Sequence, residues 1–180
     1  MPPRRLTAMN PVLHVLISVS TFFLLISSWW MMALPLPSKV FTYRAYPFQL
    51  HKNVGITMAV LLLVMLYGRM MYLRAPTGTG VPRPRMPRSA LIQSVLLYGL
   101  IFACCLSGYL SSVYSGWATR LWWVVTLPNW GYDNDALNEF YSTIHIWTTY
   151  GIIAIMMIHI GTAAYRVFRN DRSVRWMLRL

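Results

Sequence analysis

Four histidines stand at positions 14, 51, 145 and 159, and each lies inside or at the edge of a long apolar segment. If these segments cross a bilayer, an ionisable side chain is costly there, and one that is kept usually has a partner and a function. The apolar segments contain few carboxylates with which the histidines could pair. Because neutral imidazole is a common metal ligand, the residue types predict metal coordination.

The composition is that of a membrane protein. The chain has 180 residues, of which 57% are hydrophobic and 11% are charged, and its mean hydropathy is +0.47. Water-soluble domains are about 45–50% apolar and about 25% charged. The net charge of +12 would suggest nucleic acid in a soluble protein, but the basic residues lie between apolar segments. They are better explained by membrane topology, and we expect no nucleic-acid partner.

Four segments are long enough to cross about 30 Å of hydrocarbon, which requires about 20 residues in a helix. They cover about residues 9–33, 49–73, 89–114 and 137–168. The linkers between them are interrupted by Pro and Gly, as in 74–88, or are rich in Trp, as in 117–130. We therefore expect one all-α domain over residues 1–180, a four-transmembrane-helix bundle surrounded by membrane lipid.

The distribution of basic residues predicts the orientation of this bundle, because cytoplasmic loops carry an excess of Lys and Arg. One side would hold twelve of the sixteen: Arg4, Arg5, Arg69, Arg74, Arg83, Arg85, Arg88, Arg166, Arg169, Arg172, Arg175 and Arg179. The other side holds Lys39, Arg44, Lys52 and Arg120, together with most of the acids. Both termini are predicted to be cytoplasmic.

This topology assigns a depth to each histidine. His14 and His159 belong to an inner layer, near the cytoplasm, and His51 and His145 to an outer layer. His145 and His159 are fourteen residues apart, which is a rise of about 21 Å and a difference in direction of about 40° on one helix. The spacing predicts that His145 and His159 face the same side of their helix in two separate layers, and the depths pair His14 with His159 and His51 with His145.

The ligand set favours two planar cofactors over a compact metal cluster. Zinc and di-iron sites in bundles use closely spaced ligands, commonly i, i+3 or i, i+4 pairs with carboxylates. Two imidazoles in each layer, without acids, suit haem b held from both faces. We predict two haems b, with Lys52, Arg69, Arg74 and Arg166 as candidate contacts to their propionates. Gly55, Gly151 and Gly161 lie close after histidines, where a porphyrin would need small residues. We expect Cys104 and Cys105 to be packing residues.

With these residues in hand, the chain resembles the bacterial cytochrome b561 family of the cytoplasmic membrane. The resemblance covers nearly the whole chain; its pieces are Leu13–Leu16, His51–Gly55, Arg69, Arg74, Tyr98–Gly108, His145, His159–Gly161, Asn170–Arg172 and Arg175–Met177. The third helix departs from the family pattern. Family members often have a His early in this helix and a Pro before its Gly, where this chain has Ala90–Ser94 and Cys104-Cys105-Leu106.

The resemblance implies a cytochrome of the bacterial inner membrane and respiratory chain that binds two b-type haems and exchanges electrons with ubiquinone or another quinone. One family member oxidises superoxide at the outer face and passes the electrons to ubiquinone. The chain could thus be an electron-transfer protein or a quinone-linked oxidoreductase, with an unknown electron donor.

Two alternatives remain open at this point. The chain could be the haem-b anchor subunit of a larger dehydrogenase or hydrogenase, which would require a partner subunit, or a metal or proton transporter with a histidine relay. For the leading hypothesis we expect electron exchange at the outer haem, which should be the less buried one. It would lie beneath the linker from Pro35 to Pro47 and the Trp-rich loop.

Overall fold

The structure, a computed structural model, describes residues 11–34, 45–74, 88–128 and 130–169. Its elements are four helices and one small hairpin: α1 (Pro11–Ala33), α2 (Ala45–Arg74), α3 (Arg88–Tyr114), β1 (Arg120–Leu121), β2 (Val125–Thr126) and α4 (Asp135–Phe168). All four helices are long and apolar enough to cross a membrane. The predicted all-α membrane fold with four spans is confirmed.

The residues at the helix N-termini are types that are favoured or tolerated there. The first residue of α1 is Pro11, a position where a missing N–H costs no hydrogen bond. Asn134 caps α4, since its side chain accepts from the backbone N–H of Leu137 at 2.9 Å. Pro47, expected in the linker before α2, instead lies in the first turn of that helix. Proline is tolerated there, so His51 is one to two turns inside α2 and not at its start.

The Trp-rich connection between α3 and α4 contains a hairpin that the sequence did not predict. Arg120 pairs with Thr126 and Leu121 with Val125 in antiparallel register. The N–H of Val124 donates to the Leu121 carbonyl at 3.0 Å, and the two residues between them, Trp122 and Trp123, have φ of 46° and 59°. Two positive φ values define a type I′ turn, which usually has Asn or Gly at these positions.

The bundle is packed unevenly. The most extensive helix contact is between α3 and α4, followed by α1 with α2 and α2 with α3. Side-chain hydrogen bonds add to the first of these, for example between Ser111 and Ser142 at 2.8 Å. The buried apolar core lies at mid-depth and consists of Ile17, Met58, Leu62, Met65, Ile101, Cys104 and Ile152. Large apolar side chains such as Val60, Leu63 and Ile146 are exposed on the outside, as expected of helices in lipid.

Candidate functional site

The structure brings the four histidines together in two pairs. The ring centroids of His14 and His159 are 6.4 Å apart with an interplanar angle of 62°. Those of His51 and His145 are 6.2 Å apart with an angle of 79°. α4 supplies one histidine to each pair, and the other members, His14 and His51, come from α1 and α2. The two layers are thus anchored on α4, about 21 Å apart along its axis.

Both separations fit imidazoles that ligate one metal from opposite sides. A metal–nitrogen bond is about 2 Å long and the ring centre lies about 1 Å further, so two opposed ligands place their centroids about 6 Å apart. A hydrogen-bonded imidazole pair without a metal has no such requirement. Among the described residues, no group of three or more His, Cys, Asp or Glu side chains could hold a metal ion. Two imidazoles per metal leave the remaining positions to a macrocycle such as haem.

The ring of His145 is fixed by α3. Its Nδ1 lies 2.8 Å from the carbonyl oxygen of Cys104. Since a carbonyl can only accept, Nδ1 carries the proton and donates it, and Nε2 keeps the lone pair that can bind a metal. On the same helix, a Cβ at Gly108 would lie 2.9 Å from two atoms of the His145 ring. The absence of a side chain at Gly108 therefore makes room for the imidazole.

The ring of His51 has a weaker partner on α1. Its Nδ1 lies 3.5 Å from Oγ of Ser27. The Ser27 hydroxyl donates its one proton to the Leu24 carbonyl at 3.2 Å, so its oxygen is left to accept from His51. This arrangement again places the proton on Nδ1 and leaves Nε2 available as a ligand.

The helices that carry each pair leave space between them. In the described part of the chain, neither α1 with α4 nor α2 with α4 is among the helix pairs in extensive contact. A Cβ on Gly55 or Gly161 would meet no atom within 4 Å beyond the neighbouring turns of its own helix, whereas one on Gly151 would meet Leu100 at 3.3 Å. Gly55, one turn after His51, fits the predicted role of a small residue beside a flat cofactor. Gly161 does not, because it is exposed and lies about 200° around the helix from His159. Gly151 serves packing between α3 and α4.

The four basic residues proposed as propionate contacts lie at the expected ends of the bundle. Lys52 is half-buried beside His51 at the outer side, and Arg69 is half-buried near the inner end of α2. Arg74 is exposed at that end. Arg166 is half-buried in the last turn of α4, seven residues after His159 and so on the same helix face. Their position is compatible with anionic groups at both membrane surfaces.

The hairpin is bound to one face of α2. Gln49 Nε2 donates to the Ala118 carbonyl at 2.8 Å, and the N–H of Trp122 donates to Oδ1 of Asn53 at 3.1 Å. The indole N–H of Trp122 donates to Thr57 at 3.1 Å. Asn53 is two residues after His51, which turns it about 200° away on the helix. The hairpin therefore packs beside the outer layer and does not cover the face of α2 that carries His51.

The two layers differ in how far the protein encloses their imidazoles, while the smaller burial of the outer haem stays a prediction. His51 and His145 are more deeply buried than His14 and His159. The physical reason is the close packing of α3 against the outer half of α4, where Cys104 and Gly108 enclose the His145 ring. The linker residues 35–44, which we expected to cover this layer, lie outside the described residues.

Sequence reasoning missed three residues of this site: Cys104, Gly108 and Ser27. Cys104, which we interpreted as a packing residue, is indeed buried in the core, but its carbonyl and thiol also contact His145. These contacts depend on the register between α3 and α4, and on that between α1 and α2, which one sequence does not specify. The Cys104–Gly108 spacing of one helical turn was the only available signal.

Fold and site together define a class, that of four-helix membrane proteins with two layers of opposed histidines. A family model described as prokaryotic cytochrome b561 matches residues 5–179, and the chain belongs to this family. It is also similar to cytochrome b561 homolog 2 of Escherichia coli (strain K12), with 25% identity over 158 residues, 87% of this chain and 81% of that protein. No solved structure matches the chain.

Family membership establishes the general chemistry. The protein is a multi-pass bacterial membrane cytochrome that binds b-type haem and takes part in electron transfer. The alternative of a histidine-based metal or proton transporter is not what this family indicates.

Proposed function

We propose that the protein holds two haems b, one between His14 and His159 and one between His51 and His145, and passes electrons between an outer-face donor and the quinone pool. The observation that carries this proposal is the ring separation of 6.4 and 6.2 Å in the two pairs. Bound haem supplies a one-electron ferric/ferrous couple, which the protein positions and tunes. The inner membrane is the location that such a function requires.

The chain's own residues prepare both layers for this role. The backbone of Cys104 and the hydroxyl of Ser27 orient the outer imidazoles. Between the layers lies the apolar core, which includes Leu62, Ile101 and Ile152 and keeps water and ions out of the space between them. Candidate cations for the propionates are Lys52 at the outer side and Arg69, Arg74 and Arg166 at the inner side.

Exchange with quinone is proposed at the outer layer. An apolar groove of about 240 Å³ lies between α2 and α3, lined by residues that include Ile56, Ala59, Leu106 and Tyr109. Tyr109 is next to Gly108 and Ile56 is five residues after His51, whereas Leu63 lies deeper, so the groove extends from near the outer pair toward the middle of the bundle. Its lining suits an isoprenoid quinone that enters from the bilayer, with Tyr109 as a polar group at its outer end.

The test is stopped-flow mixing of purified protein with a quinol. His51→Ala should lose the outer haem, and quinol should no longer reduce the protein rapidly. His14→Ala, the matched control, should keep the outer haem and its rapid reduction by quinol. Ala59→Phe should slow exchange without loss of haem, and Trp122→Ala should have a smaller effect of the same kind. Rapid exchange at the wild-type rate in His51→Ala would place the quinone at the inner layer.

The outer donor could be a small anion, including superoxide. The charge distribution predicts that Lys52 and Arg120 are on the outer side. Positive charge there would attract anions, but Asp133, Asp135 and Glu139 reduce the field. A donor that reduces the haems at a rate independent of ionic strength would argue against an anion. Co-purification from native membranes distinguishes a free-standing cytochrome from the anchor of a larger dehydrogenase or hydrogenase.

A further inference from the structure

We propose that Cys104 is a positioning residue for the outer layer, and that its thiol lowers the reduction potential of the haem held by His145. The proposal rests on the proposed function, because it requires a haem between His51 and His145. It concerns a residue of α3 that is not itself a ligand.

The geometry places the thiol against the far side of the ligand ring. Cys104 is buried, and its Sγ lies 3.4 Å from Nδ1 of His145, in addition to the carbonyl contact at 2.8 Å. Sγ also lies 3.4 Å from Oγ1 of Thr149, one turn further along α4. The side chain is thus enclosed by one imidazole and one hydroxyl.

The direction of each hydrogen bond in this cluster follows from its donors and acceptors. Thr149 donates its hydroxyl proton to the carbonyl of His145 at 2.8 Å, so Oγ1 can only accept from the thiol. The S–H of Cys104 has two acceptors, the hydroxyl of Thr149 and the carbonyl of His145 at 3.8 Å, so the lone pairs of the sulfur are left for the N–H of His145. That N–H is shared between a carbonyl oxygen and a sulfur.

Such a contact changes the basicity of the His145 imidazole as well as its orientation. An acceptor on the second ring nitrogen makes the coordinating nitrogen more basic. A more basic axial ligand and the negative end of a nearby dipole both stabilise the more positive, ferric state, and hydrogen bonding around a ligand is one of the means by which proteins set haem potentials. The thiol should therefore lower the potential of the outer haem.

The neighbouring residue offers a matched control. Cys105 is on the same helix and partly buried, but it lines the apolar groove between α2 and α3. It is one residue, or about 100°, around the helix from Cys104. Cys105→Ala removes the same thiol group at nearly the same depth and leaves the contacts of His145 unchanged.

The experiment is a spectroelectrochemical titration of the full-length, haem-loaded protein, with the outer component assigned in His14→Ala. Cys104→Ala should raise the potential of the outer haem only. Cys104→Ser, which keeps a donor and an acceptor, should remain closer to wild type. Thr149→Val removes one of the thiol's two acceptors and should raise the outer potential by a smaller amount. Cys105→Ala should leave both potentials unchanged.

The outcomes separate this inference from the function on which it rests. An unchanged outer potential in Cys104→Ala and Thr149→Val, with both haems present, would overturn the inference alone. An equal shift in Cys105→Ala would do the same, since it would indicate a general effect of packing. If His145→Ala keeps both haems, the proposed function itself is overturned. If Cys104→Ala does not fold, the Ser and Thr149 variants decide.

Discussion

Gly108 of α3 faces the imidazole of His145 on α4 so closely that a Cβ would lie 2.9 Å from two of its ring atoms. The ring cannot move aside easily, because its Nδ1 is bound to the Cys104 carbonyl at 2.8 Å. The close approach of two helices thus determines the position of the His145 imidazole.

Gly108→Ala should therefore displace His145 and reduce binding of the outer haem. The added methyl group must be accommodated by the ring or by the helices, at a cost of about 1–3 kcal/mol. Haem content by the pyridine haemochromogen assay should fall from two toward one per chain. Gly99→Ala, on the same helix with no atom within 4 Å of the new Cβ beyond its own turns, should keep both haems. Full occupancy in Gly108→Ala would contradict this account of the site.

The inner pair can be tested without disturbing the outer one. His14→Ala or His159→Ala should each remove one haem and leave the other, because the two layers are about 21 Å apart along α4. Added imidazole should restore the absorption of the missing haem by replacing the lost ligand. Met157→Leu, at an exposed position of the same helix, should keep both haems. Two haems in either histidine variant would show that the inner pairing is wrong.

The sidedness of the bundle is a prediction of the charge distribution. Single cysteines introduced as Thr79→Cys and Asp133→Cys should be labelled by an impermeant maleimide from opposite faces of the membrane. Asp133 is exposed in the loop before α4, and Thr79 is in the Arg-rich linker. Wild-type protein is the control, since Cys104 is buried and Cys105 partly so. Labelling of both new cysteines from one face is incompatible with four spans.

The hairpin should depend on Asn53. This side chain is fully buried, and its Oδ1 accepts from the N–H of Trp122, so Asn53→Ala leaves a backbone donor without its partner at a cost of about 1–3 kcal/mol. Hydrogen exchange of the Trp122 amide should become faster. Thr57→Val removes only the hydrogen bond of the Trp122 indole and should change the exchange rate of this amide less. Equal exchange in wild type and Asn53→Ala would show that the hairpin is held elsewhere.

The sequence was sufficient for those features that depend on long-range hydrophobicity and on helix periodicity. The four apolar spans and the fourteen-residue spacing of His145 and His159 follow from rules that apply to any helix in a bilayer. Trp122 and Trp123 gave no such signal, because type I′ turns usually have Asn or Gly at these positions, and the bonds of Trp122 to Asn53 and Thr57 depend on tertiary packing. The role of Cys104 was equally inaccessible, since it depends on which turn of α3 meets which turn of α4.

The unequal helix contacts imply an order of assembly in the membrane. α3 and α4 share the most extensive interface, so this half can form as soon as both helices are inserted. Among the described residues, α4 shares no comparable interface with α1 or α2, and the histidine pairs lie between these helices, so closure of that half should wait for haem. Cells starved of haem should then accumulate full-length chain in which α1 and α2 are cleaved by protease faster than α3 and α4. Equal resistance of both halves would show that the bundle closes without its cofactor, and the supply of haem would then have no control over its maturation.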